Sequence, residues 1–246
     1  MRALALPGAL IGARVAVGAM RPAVRMITMW VHESGHAAAA WLTGFAAFPG
    51  PWFTPSSLER SVMVTLVLAG ALAAGAYAAW QIQRWFWVAV GAVVLALALA
   101  GAFALHPIHA RALITFFGDG GCFVLGSVLM LSMYARPGHQ LRQERLRWVL
   151  LVVGALAFMD AGATWFGDAS GLPLGEDDRG LSDSSVLTES YGWTLELLVG
   201  RYRQLAVACG LVLACAWVAG LLQTLGETTS SIPSSFPRTR RTDATR

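Results

Sequence analysis

The stretch SVMVTLVLAGALAAGAYAAWQIQRWFWVAVGAVVLALALAGAFAL, residues 61–105, decides the fold. Its two apolar runs, 61–80 and 85–105, are separated only by Gln81, Ile82, Gln83 and Arg84. Each run supplies the roughly 20 apolar residues that a helix needs to cross the hydrocarbon core of a bilayer. Four intervening residues leave room for a tight turn, so the segment predicts an antiparallel pair of transmembrane helices. Trp80, Trp85 and Trp87 gather at the turn, as an aromatic belt does at a membrane interface.

Outward from this pair, further runs at 24–43, 112–134, 146–167 and 203–225 bring the expected number of spans to six. The whole composition agrees: 56% of residues are hydrophobic and 13% charged, where a soluble domain carries about 25% charged residues. The expected fold class is all-α, a polytopic transmembrane helical bundle of about six spans. Residues 1–225 form one membrane-embedded domain without an internal repeat, and the Ser-, Thr-, Pro- and Arg-rich segment 226–246 reads as a disordered basic tail. Pro7, Gly8 and Arg14 interrupt the apolar run of the first twenty residues, which reads as an interfacial helix rather than a cleaved signal peptide. Cys122, Cys209 and Cys215 all lie in apolar stretches and read as packing residues, not as a disulfide framework.

The net charge of +4 comes from eighteen arginines and no lysine against fourteen acids. These arginines lie between apolar runs, not on one face of a soluble element, which excludes nucleic acid as a partner. In a six-span arrangement thirteen of them, including Arg2, Arg14, Arg21, Arg25, Arg84 and Arg136, fall on one side; Arg60, Arg111, Arg179, Arg201 and Arg203 fall on the other. The positive-inside rule then makes both termini cytoplasmic, in a bacterial inner (plasma) membrane. The acidic loop 168–202 is placed outside, with an amphipathic interfacial helix expected over 185–199.

Charged side chains inside a bilayer are costly, and each is a functional hypothesis. Glu33 belongs to His32-Glu33-Ser34-Gly35-His36, an H-E-x-x-H pattern. On a helix, positions i and i+4 share a face, so both imidazoles can reach one zinc ion, with the glutamate as general base on a metal-bound water. With five His and seven Glu in the chain, about 0.003 such matches are expected by chance. A purely structural polar cluster would cost several kcal/mol of insertion energy that packing does not require. At 1.5 Å per residue, His32 and His36 lie about 10 and 16 Å beyond Arg25, within the bilayer.

The run from Met29 to Gly44, with His32, Glu33 and His36 followed by Ala37, Ala38, Ala39 and Ala40, resembles the zinc helix of the site-2 protease family of intramembrane metalloproteases. The likeness is closest to minimal members without a soluble regulatory domain. It implies Zn2+ on His32 and His36, Glu33 as base, and a third ligand from an aspartate followed by glycines. Gly118-Asp119-Gly120-Gly121 is similar to that element, although the Asn and Pro that usually precede it are missing. Asp119 is therefore the first choice for third ligand.

Asp160 and Asp183 compete with it. In the family the histidine and aspartate helices run in the same direction, whereas six-span parity sets the Asp119 helix antiparallel to the first and the Asp160 helix parallel to it. Asp183 would need its loop to fold back into the bundle. An aspartate that is not a ligand is expected to orient a metal-bound imidazole.

Three smaller readings complete the picture. His106 and His109 are expected to be interfacial, with Pro107 weighing against a regular helix there, and His139 is expected in solvent. Segment 44–57, rich in Pro, Phe and Trp, cannot continue the helix; it is either a surface loop or a segment dipping back to line the site. The expected function is that of an intramembrane zinc endopeptidase cutting a membrane-associated protein or peptide. The alternatives are a non-catalytic relative that binds a membrane partner and an ion transporter, which the intact Glu33 and the absence of paired repeats respectively disfavour.

Overall fold

The computed structural model describes residues 4–134, 144–168, 171–177 and 180–230. Helix α1 (Ala5–Leu42) is followed by the antiparallel strands β1 (Phe45–Ala47) and β2 (Ser56–Arg60). Then come α2 (Val62–Gln81), α3 (Trp85–Leu99), α4 (Pro107–Leu131) and α5 (Glu144–Trp165). After a two-residue hairpin, β3 (Glu176–Asp177) and β4 (Gly180–Leu181), a short α6 (Asp183–Ser185) leads to α7 (Leu195–Ser230). The chain is an all-α bundle with little strand.

Among the described residues, five stretches are long and apolar enough to cross a bilayer: Val62–Gln81, Trp85–Ala104, Pro107–Tyr134, Arg145–Trp165 and Leu195–Gln223. Their outer faces are apolar too, with Leu66, Val67, Phe103, Leu211 and Leu222 each more than 60% exposed. Such surfaces suit lipid rather than water. Helix α1, the sixth expected span, is absent from this group because Arg25, His32, Glu33 and His36 depress the hydropathy of its second half.

Helix α1 is also longer than its expected 24–43. It begins at Ala5 and kinks at Met20 (φ −144°, ψ 46°), two residues before Pro22, whose ring clashes with the preceding turn and which has no N–H to give. Residues 5–19, expected to lie at the interface, therefore belong to the bundle, where Leu6, Ala13 and Val17 join a core with Met130, Met133, Leu151, Ala155 and Leu213. Asp160 of α5 fixes the segment beyond the kink: Arg21 Nε donates to its Oδ1 (3.2 Å) and Thr28 Oγ1 to its Oδ2 (2.9 Å), while Arg21 also reaches Thr164. Asp160 is thus committed to α1's arginines and threonine, not to the histidines.

Glycines set the helix spacing. A Cβ on Gly35 would lie 2.0 Å from the Phe117 carbonyl oxygen and 2.7 Å from Gly121 Cα, so α1 and α4 touch backbone to backbone, with α4 antiparallel. Gly126 and Gly154 make the same close approach between α4 and α5, the small-residue packing usual between membrane helices. Behind α4, Tyr202 of α7 stacks between Phe116 and Trp165 with ring centroids 4.3 and 3.9 Å away. Its hydroxyl donates to the Phe116 carbonyl.

Three further expectations change. Pro107 stands at the first position of α4, where a missing N–H costs nothing; the helix begins there, and His106 and His109 are exposed, as interfacial residues are. The expected amphipathic helix over 185–199 is broken, because the turn ending at Gly192 (φ +69°) separates a single wide helical turn, Val186–Ser190, from α7. Helix α7 runs through Ser230, past the expected start of the tail at 226; residues 231–246 and His139 lie outside the described residues.

Candidate metal centre

The close crossing at Gly35 and Gly121 lays the His32 and His36 rings on the backbone of α4, at Gly118. A Cβ there would lie 2.6 Å from His32 Cε1, His32 Nε2 and His36 Nε2, so only glycine leaves room for both imidazoles. Each ring is oriented through Nδ1. That of His36 lies 2.7 Å from the Ile114 carbonyl, which can only accept, so this nitrogen carries the proton and donates it. His32 Nδ1 lies 3.1 Å from Asp119 Oδ1, whose other oxygen accepts from the Trp165 indole at 2.8 Å.

With Nδ1 the donor in each ring, a ring that gives up its second proton presents a lone pair at Nε2. The two Nε2 atoms are 3.2 Å apart, and each is 3.1 Å from Asp183 Oδ2. Three atoms able to ligate a metal thus converge. A tetrahedral zinc site with bonds of about 2.0–2.2 Å spaces its ligand atoms about 3.3–3.5 Å apart, so the triangle fits such an ion with a shift of a few tenths of an ångström.

Asp183 reaches this point from outside the long helices. Ser182 caps α6 by accepting from the Ser185 amide and donates to the Pro173 carbonyl; Ser185 in turn accepts from the Gly175 amide. Leu187, fully buried, anchors the following turn in the core. Burial opposes the charge of Asp183, but where the two rings carry a proton at Nε2 their hydrogen bonds and charge hold its carboxyl well below the ordinary carboxylate range. An ionised carboxylate is the form that binds a cation.

The three candidate aspartates are therefore separated by their surroundings. Asp183 meets both Nε2 atoms; Asp119, the expected third ligand, meets His32 at Nδ1 on the other side of the ring; Asp160 pairs with Arg21. Cys122, one turn after Asp119, forms a second group with His32 and Asp119 on the α4 side.

Glu33 is buried. Segment 44–57, open to two readings from sequence, forms most of the β1–β2 hairpin and returns to α1, where Thr54 Oγ1 lies 2.7 Å from Glu33 Oε2 and 2.9 Å from the Glu33 carbonyl oxygen. The hairpin starts at Gly44, whose φ of +83° ends α1. Thr54, Trp165 and the Ile114 carbonyl carried no motif by which sequence could have marked them. Gly118 did have a signal, since it precedes Asp119 in the glycine-rich element.

Comparison of the chain with known protein families, curated proteins and solved structures finds no match.

Proposed function

We propose that the chain is an intramembrane zinc metallo-endopeptidase that hydrolyses a peptide bond of a membrane-associated protein. The observation that carries this reading is the convergence of three potential ligand atoms, His32 Nε2, His36 Nε2 and Asp183 Oδ2, with both imidazole rings oriented by Nδ1 partners. With the Nε2 protons released, the three lone pairs converge on a point that a cation can occupy, and a nitrogen-rich set of three suits zinc with one position open. Asp119 is reassigned from ligand to orienting partner: it fixes the His32 tautomer and is itself held by Trp165.

When bound, zinc supplies a water of pKa near 7 and polarises the scissile carbonyl. The chain's own residues do the rest. His32 and His36 hold the metal from α1, and Asp183 adds the negative charge that strengthens binding. Glu33 takes the water proton and delivers it to the leaving amine. By the arginine count, the Asp183 loop lies on the non-cytoplasmic side, so substrate meets the site from that half of the bilayer.

Metal removal tests the reading. Protein purified in detergent should cleave a fluorogenic peptide derived from a transmembrane segment, lose that activity on dialysis against 1,10-phenanthroline, and recover it with one equivalent of Zn2+. Cleavage that survives complete metal removal would contradict the proposal.

A further inference from the structure

Thr54 lies outside the metal-bearing helices, yet its hydroxyl makes the contact to the Glu33 carboxylate. A threonine hydroxyl has one proton to give. Of its two neighbours on Glu33, the carboxylate oxygen is nearer, at 2.7 Å, than the carbonyl oxygen, at 2.9 Å. Within α1 that carbonyl already accepts the amide four residues on, as every interior helical carbonyl does. The carboxylate oxygen, the nearer of the two, has no such helical partner and gains more from the bond.

The hairpin that carries Thr54 is pinned on several sides. Arg60 donates from Nε to the Thr43 carbonyl (3.1 Å) and from one terminal nitrogen to the Gly101 and Leu105 carbonyls, tying the end of α1 to the segment that follows α3. Arg111 of α4 holds the Ser57 and Leu58 carbonyls, and both guanidinium groups lie over the Phe45 ring, 5.6 and 5.0 Å from its centre. The Trp41 indole donates to the Ala47 carbonyl, and the Ala46 amide donates to Ser57 Oγ. Between the strands, Pro49, Pro51 and Pro55 restrict the backbone of the returning loop. A hydroxyl on so constrained a loop meets Glu33 in one place, which is what a base needs in order to aim at a water without reorganising first.

We infer that Thr54 is a positioning residue for the general base, so that the β1–β2 hairpin is part of the catalytic device and not only a connector between α1 and α2. The inference rests on the reading of Glu33 as base. It assigns Thr54 an effect on turnover, exerted through Glu33, and none on metal binding or substrate affinity.

Two measurements test it. On a cleavable peptide, Thr54→Val should keep the wild-type zinc content and a KM within twofold while kcat falls about 10- to 100-fold; Thr54→Ser, which retains the hydroxyl, should keep kcat within about threefold. An unchanged kcat in Thr54→Val, an equal loss in Thr54→Ser, or a change confined to KM would overturn it. The second measurement needs no activity. Thermal unfolding of a double-mutant cycle should show Thr54→Val lowering the midpoint more in the wild-type background than beside Glu33→Ala, and equal lowering in both would overturn the contact. Should the wild-type protein itself fail to cleave any peptide, the proposed function fails, while the cycle still decides whether Thr54 holds the Glu33 carboxylate.

Discussion

Replacing Glu33 by glutamine should abolish measurable peptide cleavage and leave the zinc content unchanged. Glutamine matches glutamate in volume and keeps an oxygen for the Thr54 hydroxyl, now 2.7 Å from Oε2, so α1 and the hairpin have no reason to move. The three converging atoms belong to His32, His36 and Asp183 and are untouched. What disappears, on the proposed mechanism, is the group that takes a proton from water and returns it to the leaving amine, a loss of about 10²- to 10⁴-fold in kcat/KM. Cleavage rate and metal content measured on the same preparation make the test. A Glu33→Gln protein that cuts at the wild-type rate would remove the base from the mechanism, and one that has also lost its metal would make Glu33 part of the metal site.

Gly118→Val should cost both metal and activity. Even the first carbon of a side chain there lies 2.6 Å from atoms of both His32 and His36, closer than non-bonded atoms approach. The rings cannot retreat freely, because their Nδ1 atoms are tied to Asp119 and to the Ile114 carbonyl. Nor can the helices separate cheaply, since Gly35 and Gly121 hold them in backbone contact. Either response breaks the Nε2 geometry, and overpacking of this kind costs about 1–3 kcal/mol of stability as well. Metal affinity is expected to drop by more than the about 10- to 100-fold that loss of an orienting partner alone costs. Gly162→Ala on α5, where a Cβ meets nothing within 4 Å, is the matched control and should behave as wild type. Zinc titration of both variants decides, and wild-type affinity in Gly118→Val would mean that the two histidines do not act together.

Much of this architecture was legible in the order of the residues, for physical reasons. Twenty apolar residues in a row have one stable home, and a four-residue gap between two such rows has one sensible geometry, so α2 and α3 were plain from 61–105. The spacing of His32 and His36 carries its own helical periodicity, and buried ionisable groups in a membrane segment announce a task. Illegible features depend on which segments meet in space. Asp119 and Asp183 are both aspartates beside glycine or serine, and nothing local distinguishes a residue facing Nδ1 from one facing Nε2. Parity did warn that α4 runs against α1, and that antiparallel crossing is how Asp119 comes to meet His32 at Nδ1. Thr54 and Trp165 act through single hydrogen bonds made across 21 and 46 residues of chain. The kink of α1 brings residues 5–17 onto the bundle, a result of Pro22 and of Asp160 together that hydropathy alone does not register.

The central claim is that His32, His36 and Asp183 hold the metal while Asp119 only orients His32. The most direct test is the zinc affinity of Asp183→Ala and Asp119→Asn, measured side by side in detergent by competition with a chromogenic chelator. Asp183→Ala deletes a coordinating oxygen and should lose zinc by the larger factor, whereas Asp119→Asn keeps an oxygen for the Nδ1 proton of His32 and should weaken binding by about 10- to 100-fold at most. The reverse order, with Asp183→Ala holding zinc like the wild type and Asp119→Asn releasing it, would contradict the account.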